Sequence, residues 1–202
     1  MINYPTKKKR VVHATTTKSN QRGMNLEKDL NDSNTYYREI GRALIYKKPT
    51  PVQIVRVDYP KRTAAKIVEA YYKTPSTTDY NGIYKATYID FEAKETTSKT
   101  SFAFRNIHEH QITHLQAVQD HGGIAFLVIR FIAYNETYLL DASYIIEQAK
   151  HSKSISYETI KRHGYQIDES YTPRLKYLDV VDLVYFKEDA HGDQKTKLAK
   201  EK

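Results

Sequence analysis

Residues 88–94 read Tyr-Ile-Asp-Phe-Glu-Ala-Lys, a strict alternation of apolar and polar positions. A period of two belongs to a strand, and it sets Ile89, Phe91 and Ala93 on one face and Asp90, Glu92 and Lys94 on the other. The apolar face needs a core to cover it. The opposite face stacks two acids and a lysine, which is costly unless they meet water, a cation or a substrate phosphate. A chain carrying this segment must build a sheet with a polar site on one side.

A further acid precedes the strand in Ser76-Thr77-Thr78-Asp79. Whether Asp79 joins the acidic face depends on where the chain reverses. Asn81-Gly82 is a strong hairpin signal, but a turn there would set Asp79 opposite Tyr84, roughly 26 Å along the strand from Glu92. A turn at Lys85-Ala86 instead pairs residues whose numbers sum to 171, so that Asp79 faces Glu92 within roughly 5.5 Å between α-carbons. Ile83, Tyr84, Tyr88 and Ile89 extend strand character to both sides of residues 85 and 86, which favours the second register. Asn81-Gly82 is then expected to be absorbed as a bulge or bend. Thr77 falls on the acidic face too.

Around this hairpin the chain alternates between helical and strand patterns. Apolar residues from Leu26 to Ile45 recur at helical spacing and predict one long helix over residues 25–46. Val52 to Tyr59 alternates as a strand, and residues 62–73 suit either helix or strand. A helix from Ile107 to Asp120, stopped by Gly122-Gly123, is followed by strands at Ile124–Tyr134 and Thr137–Leu140. Helices at Ala142–Lys150 and Tyr177–Phe186 complete the pattern. This order predicts an α/β fold with one mixed sheet flanked by helices. Residues 1–22, with Lys7-Lys8-Lys9-Arg10, read as a flexible basic tail, 23–187 as the folded domain, and 188–202 as a second flexible tail.

The formal net charge of +8 points to an anionic partner, nucleic acid first among the candidates. The chain has no cysteine, which excludes disulfides and thiolate metal sites. Its longest apolar run, Ile124 to Ile132, is broken by Arg130, so neither a membrane span nor a secretory signal is expected, and the reading is cytoplasmic.

Two carboxylates converging with a lysine suit phosphodiester hydrolysis. Asp79 and Glu92 offer hard oxygens to Mg²⁺, with Mn²⁺ as a substitute, and Lys94 sets a positive charge against the transition state or positions the attacking water. Glu-x-Lys alone is a weak signal, and an exposed Glu92–Lys94 ion pair is the plain alternative. His110 and His114 lie one turn apart, but with His108 pointing elsewhere and no His-Glu-x-x-His pattern they do not make a zinc site. Tyrosines 71, 72, 80, 84 and 88 suit sheet packing better than base stacking.

Longer stretches carry a resemblance. They are Arg22-Gly23-Met24-Asn25-Leu26-Glu27, Lys48-Pro49-Thr50-Pro51-Val52-Gln53-Ile54-Val55, Tyr59-Pro60-Lys61-Arg62, Ser76 to Tyr84, Tyr88 to Thr96, and His110-Gln111-Ile112 with His114. Together they resemble the RecU-type Holliday junction resolvases, within the restriction-endonuclease-like nucleases. The resemblance implies a restriction-endonuclease-like mixed sheet and a homodimer that nicks two symmetry-related strands of a four-way junction during recombination and repair. It implies Thr77, Asp79, Glu92 and Gln111 as Mg²⁺ ligands, Lys94 as transition-state stabiliser, and Glu27 as an early-helix acid near the metal. It also implies a stalk over residues 52–73 that inserts into the junction. Arg62 on it would contribute to DNA recognition or to modulating a RecA-type recombinase, alongside branch-migration machinery at the nucleoid. Two other functions compete: a non-catalytic junction-binding regulator of a recombinase, and a nuclease acting on ordinary duplex.

Overall fold

A computed structural model describes residues 24–72 and 77–186. The elements run α1 (Met24–Glu39), β1 (Leu44–Lys47), β2 (Val52–Asp58), β3 (Lys66–Tyr72), β4 (Tyr80–Tyr84), β5 (Thr87–Thr96), β6 (Ser101–Ala103), α2 (Glu109–Asp120), β7 (Ile124–Phe131) and β8 (Glu136–Asp141). They continue through α3 (Ala142–His151), β9 (Ser154–Ser156), α4 (Tyr157–His163), β10 (Tyr165–Gln166) and α5 (Tyr177–Tyr185). Both expected tails lie outside the described residues.

Six strands form one sheet in the order β1-β4-β5-β7-β8-β10. Only β5 and β7 run parallel, joined by the crossover that contains α2; the other pairs are antiparallel. Helices cover both faces. Leu26, Leu30 and Tyr37 of α1 and Tyr177, Leu178 and Val181 of α5 pack on Ile89, Phe91, Phe126 and Val128. Leu115 and Val118 of α2, Ile145 of α3 and Ile160 of α4 pack on Leu127, Ile129, Tyr138 and Leu140 from the other side. β7 sits between the two layers with all eight residues buried, as a central strand covered on both faces must. The expected mixed α/β sheet flanked by helices is present.

The first expected helix is shorter. It ends at Glu39, Gly41 turns the chain at φ +68, and residues 44–47 form edge strand β1. Apolar residues in a short edge strand mimic a helical stripe when read through the turn, and the left-handed glycine is what separates them. Of the segment expected as helix or strand over 62–73, Arg62–Ala64 forms a short 3₁₀ turn and Lys66–Tyr72 forms β3, and residue 73 lies outside the described residues. Sequence patterning also passed over β6, β9, α4 and β10, all short elements near the lower length limit for a periodic signal.

The β4–β5 hairpin has the register expected from a turn at residues 85 and 86. Tyr80 pairs with Phe91, Asn81 with Asp90, and Tyr84 with Thr87. Lys85 and Ala86 both adopt positive φ, 47 and 59, which matches the twist of a tight two-residue hairpin turn. The bulge expected at Asn81-Gly82 is absent: both residues pair in unbroken register. Gly82 answers a different constraint, because β1 lies against it. A Cβ there would stand 1.9 Å from the Leu44 carbonyl oxygen.

β2 and β3 form a separate two-stranded ribbon, shifted in register near Arg56. Nearly every residue along both strands is exposed. Asp58 pairs with Lys66 at the far end and Val52 with Tyr72 at the near end, a span of roughly 20 Å at strand rise.

Candidate active site

β5 is ten residues long and outruns β4, which begins only at Tyr80. Beyond Phe91 its edge has lost its neighbour strand, and a side chain takes over: Asp79 Oδ2 accepts the Ala93 backbone N–H at 3.0 Å. This bond lies beside Glu92 and Lys94 and brings the first acid to the second. Asp79, Glu27 and Lys94 line a cleft of about 170 Å³ together with Leu26, Tyr80, Ala93 and Glu95.

Glu92 is completely buried. The Lys94 ammonium stands 2.6 Å from its Oε1, yet neither carboxyl oxygen completes a hydrogen bond of good geometry. Burial pushes the Glu92 pKa up to about 7, and the charge of Asp79 adds to the rise; Lys94 and the Gln111 side chain work in the opposite direction. Gln111 enters as the third residue of α2, where its Oε1 accepts the His108 N–H at 3.0 Å in a capping box. A helix cap therefore orients the side chain that faces the buried glutamate.

The expected site residues divide into three groups. Asp79, Glu92, Lys94 and Gln111 come together. Glu27 reaches the same cleft, paired with Lys47 at 2.5 Å and about half exposed. Thr77 lies close by, but its hydroxyl accepts from Lys48 Nζ at 3.0 Å. The backbone of Arg62 opens the turn between β2 and β3, at the end of the ribbon away from the sheet, and its side chain lies outside the described residues.

Two acids, one of them buried with no hydrogen bond of good geometry to either oxygen, fit a hard divalent cation better than a soft one. Among the described residues no three His, Asp or Glu side chains are already clustered as a metal site. A cation here would complete its shell with water, substrate phosphate or neutral protein oxygens, as Mg²⁺ commonly does.

Asp90 was absent from the expected site set, although it shares a face with Glu92. Its buried carboxylate takes Lys48 Nζ at 2.7 Å, the Tyr88 hydroxyl at 2.8 Å, His114 Nε2 at 3.0 Å, and the Thr78 hydroxyl. The alternation of residues 88–94 carried the signal; Lys48 and His114 arrive from distant segments that no spacing rule connects to it.

A mixed sheet with a parallel β5–β7 pair, an acid ahead of the hairpin and Glu-x-Lys on its second strand put the chain in the class of mixed α/β domains with an acidic site on one sheet face. Within that class the chain belongs to the Recombination protein U family, whose model matches residues 21–183. It is 59% identical over 170 residues to the Holliday junction resolvase RecU of Geobacillus kaustophilus, covering 82% of this chain and 85% of the relative. It is 52% identical over 196 residues to the Holliday junction resolvase RecU of Oceanobacillus iheyensis, covering 92% and 100%. A more distant likeness, at TM-score 0.41 and 11% identity over 71% of this chain and 95% of the other, is to Hjc, a Holliday junction resolvase of Archaeoglobus fulgidus.

Proposed function

We infer that the protein is a structure-specific endonuclease that resolves Holliday junctions by paired nicking during DNA recombination and repair. The convergence of Asp79 on Glu92 at the end of β5 that β4 leaves uncovered carries this reading, and the resolvase relatives supply the substrate class. Asp79 and Glu92 would hold a divalent cation, Mg²⁺ with Mn²⁺ as substitute, and Glu27, Thr77 and Gln111 would complete or orient the set. When bound, the cation polarises the scissile phosphate and lowers the pKa of an attacking water. Lys94, beside Glu92 at the cleft, offers its ammonium to the charge that develops on the phosphate oxygens.

The β2–β3 ribbon supports junction recognition. A lone two-stranded ribbon is marginally stable in water, and this one displays Tyr59, Tyr71 and Tyr72 at 69, 61 and 82% exposure. Such a stalk fits the open centre of a four-way junction, where its aromatic rings meet unstacked bases and Arg62 meets DNA or a RecA-type recombinase. The net charge of +8 suits the phosphate backbone.

Paired nicking requires a second copy. Leu44, Ile83 and Tyr88 stand side by side across β1, β4 and β5, at 56, 54 and 40% exposure, on the sheet face that also carries Asp90 and Glu92. This apolar row suits a two-fold interface, which would present two active faces to a substrate with its own two-fold symmetry. On this reading the protein acts on chromosomal junctions alongside branch-migration machinery, in the cytoplasm at the nucleoid. Among the described residues no helix is long and apolar enough to cross a membrane.

The test is a synthetic four-way junction with Mg²⁺. The protein should nick it symmetrically, and Asp79→Ala or Glu92→Ala should abolish nicking while junction binding persists. Undiminished nicking by both variants removes the reading; cleavage of linear duplex at an equal rate removes the junction preference.

A further inference from the structure

Lys48 and Asp90 form a second polar centre on the Glu92 face of the sheet, and no step described above uses it. Asp90 is completely buried and Lys48 retains 14% of its side-chain exposure. An ammonium has three donors, and here all three have acceptors: Asp90 Oδ2 at 2.7 Å, Thr78 Oγ1 at 2.5 Å and Thr77 Oγ1 at 3.0 Å. The backbone N–H of Lys48 also donates to the Asp79 carbonyl at 2.8 Å. One residue thus bonds three consecutive residues, 77, 78 and 79, immediately ahead of β4.

Lys48 precedes the segment that leads into the β2–β3 ribbon, and Thr77 to Asp79 follow the segment that leads out of it. The pair therefore fastens both legs of an otherwise exposed ribbon to the strand that carries Glu92. A buried ion pair adds little net stability over apolar packing of equal volume, but it does dictate one geometry.

We propose that Lys48, anchored by Asp90, is a positioning residue that holds the Thr77–Asp79 segment against Glu92 before cation or DNA arrives. The proposal rests on reading Asp79 and Glu92 as the cation site. Lys48 acts through the backbone and hydroxyls of residues 77–79. Removing groups that orient metal-binding side chains costs roughly 10- to 100-fold in affinity.

The experiment measures Mn²⁺ binding to the DNA-free protein by electron paramagnetic resonance, with amide hydrogen exchange across residues 77–80 in the absence of metal. Lys48→Met should weaken Mn²⁺ binding by about 10-fold or more and speed exchange in that segment, while circular dichroism stays unchanged. Lys48→Arg should restore most of both. The double variant Lys48→Met/Asp90→Asn removes the two charges together and should show the same loss, so an unstable single variant does not block the test. Wild-type Mn²⁺ affinity in either folded variant overturns the proposal, as does loss of fold in both, which would make the pair a requirement of folding. An Asp79→Ala arm separates the two readings. Lost binding there with wild-type binding in Lys48→Met removes only the positioning role, and wild-type binding in Asp79→Ala removes the cation site itself.

Discussion

Asp79 Oδ2 and the Ala93 backbone N–H are joined at 3.0 Å, so the loop ahead of β4 is bonded to β5 at the residue between Glu92 and Lys94. This single bond makes up for the missing neighbour strand, and it sets the Asp79 charge beside a glutamate that water cannot reach.

That proximity predicts a pH dependence of stability in metal-free protein. The Glu92 pKa is about 7 when folded, above its ordinary value of 4.5. Between those values the unfolded chain has released the proton that the folded chain keeps. Stability from this group is therefore full below about pH 4.5 and is lost as pH rises through about 7. The loss should be on the order of 3 kcal/mol at pH 8. Thermal melts in EDTA should show it, and Glu92→Gln should flatten the dependence and stabilise the protein at pH 8. Parallel pH profiles for the two proteins would contradict the raised pKa.

Arg130 predicts a large stability effect behind the cleft, where its guanidinium stands 3.9 Å from the lining residue Glu95. Its side chain is 6% exposed near the C-terminal end of β7 and bonds Asp29 of α1 at 2.8 Å, Glu169 at 3.2 Å and Thr137 at 3.0 Å. Arg130→Met keeps much of the volume but strands Asp29 with a lone weaker partner, Arg174 at 3.3 Å. Breaking one side of a buried pair costs about 3 to 5 kcal/mol, and the urea midpoint should fall accordingly. A change below about 1 kcal/mol would mean that the network is dispensable, as exposed ion pairs usually are.

Tyr72 tests the ribbon as a recognition element. The residue is 82% exposed on the described part of the ribbon. Tyr72→Ala should leave the melting temperature in place and weaken four-way-junction binding by roughly 5- to 150-fold, the loss of one stacked base. Duplex binding should change far less. Equal losses on both substrates, measured by fluorescence anisotropy at fixed salt, would make Tyr72 a general DNA contact.

The tyrosines show how far sequence patterning reaches. Tyr80 and Tyr84 are buried in the sheet, as packing residues should be, whereas Tyr71 and Tyr72 stand in solvent. All four occupy strand-like segments, and period-two alternation cannot tell a strand inside a layered domain from one in a free ribbon. The helix expected over residues 25–46 failed for a related reason: Leu44 and Ile45 continue an apolar period across a turn that only the positive φ of Gly41 reveals.

From the amino-acid order alone came the acidic face of β5, the turn at Lys85-Ala86 and the register that brings Asp79 toward Glu92, because these follow from strand alternation on the two sides of the turn, all between residues 79 and 94. Tertiary packing decided the rest. It buried Glu92 so that its acidity shifts, turned the Thr77 hydroxyl to Lys48, and brought Lys48 and His114 onto Asp90 from 42 and 24 residues away. Burial and long-range pairing depend on which surfaces meet, and no local period encodes that.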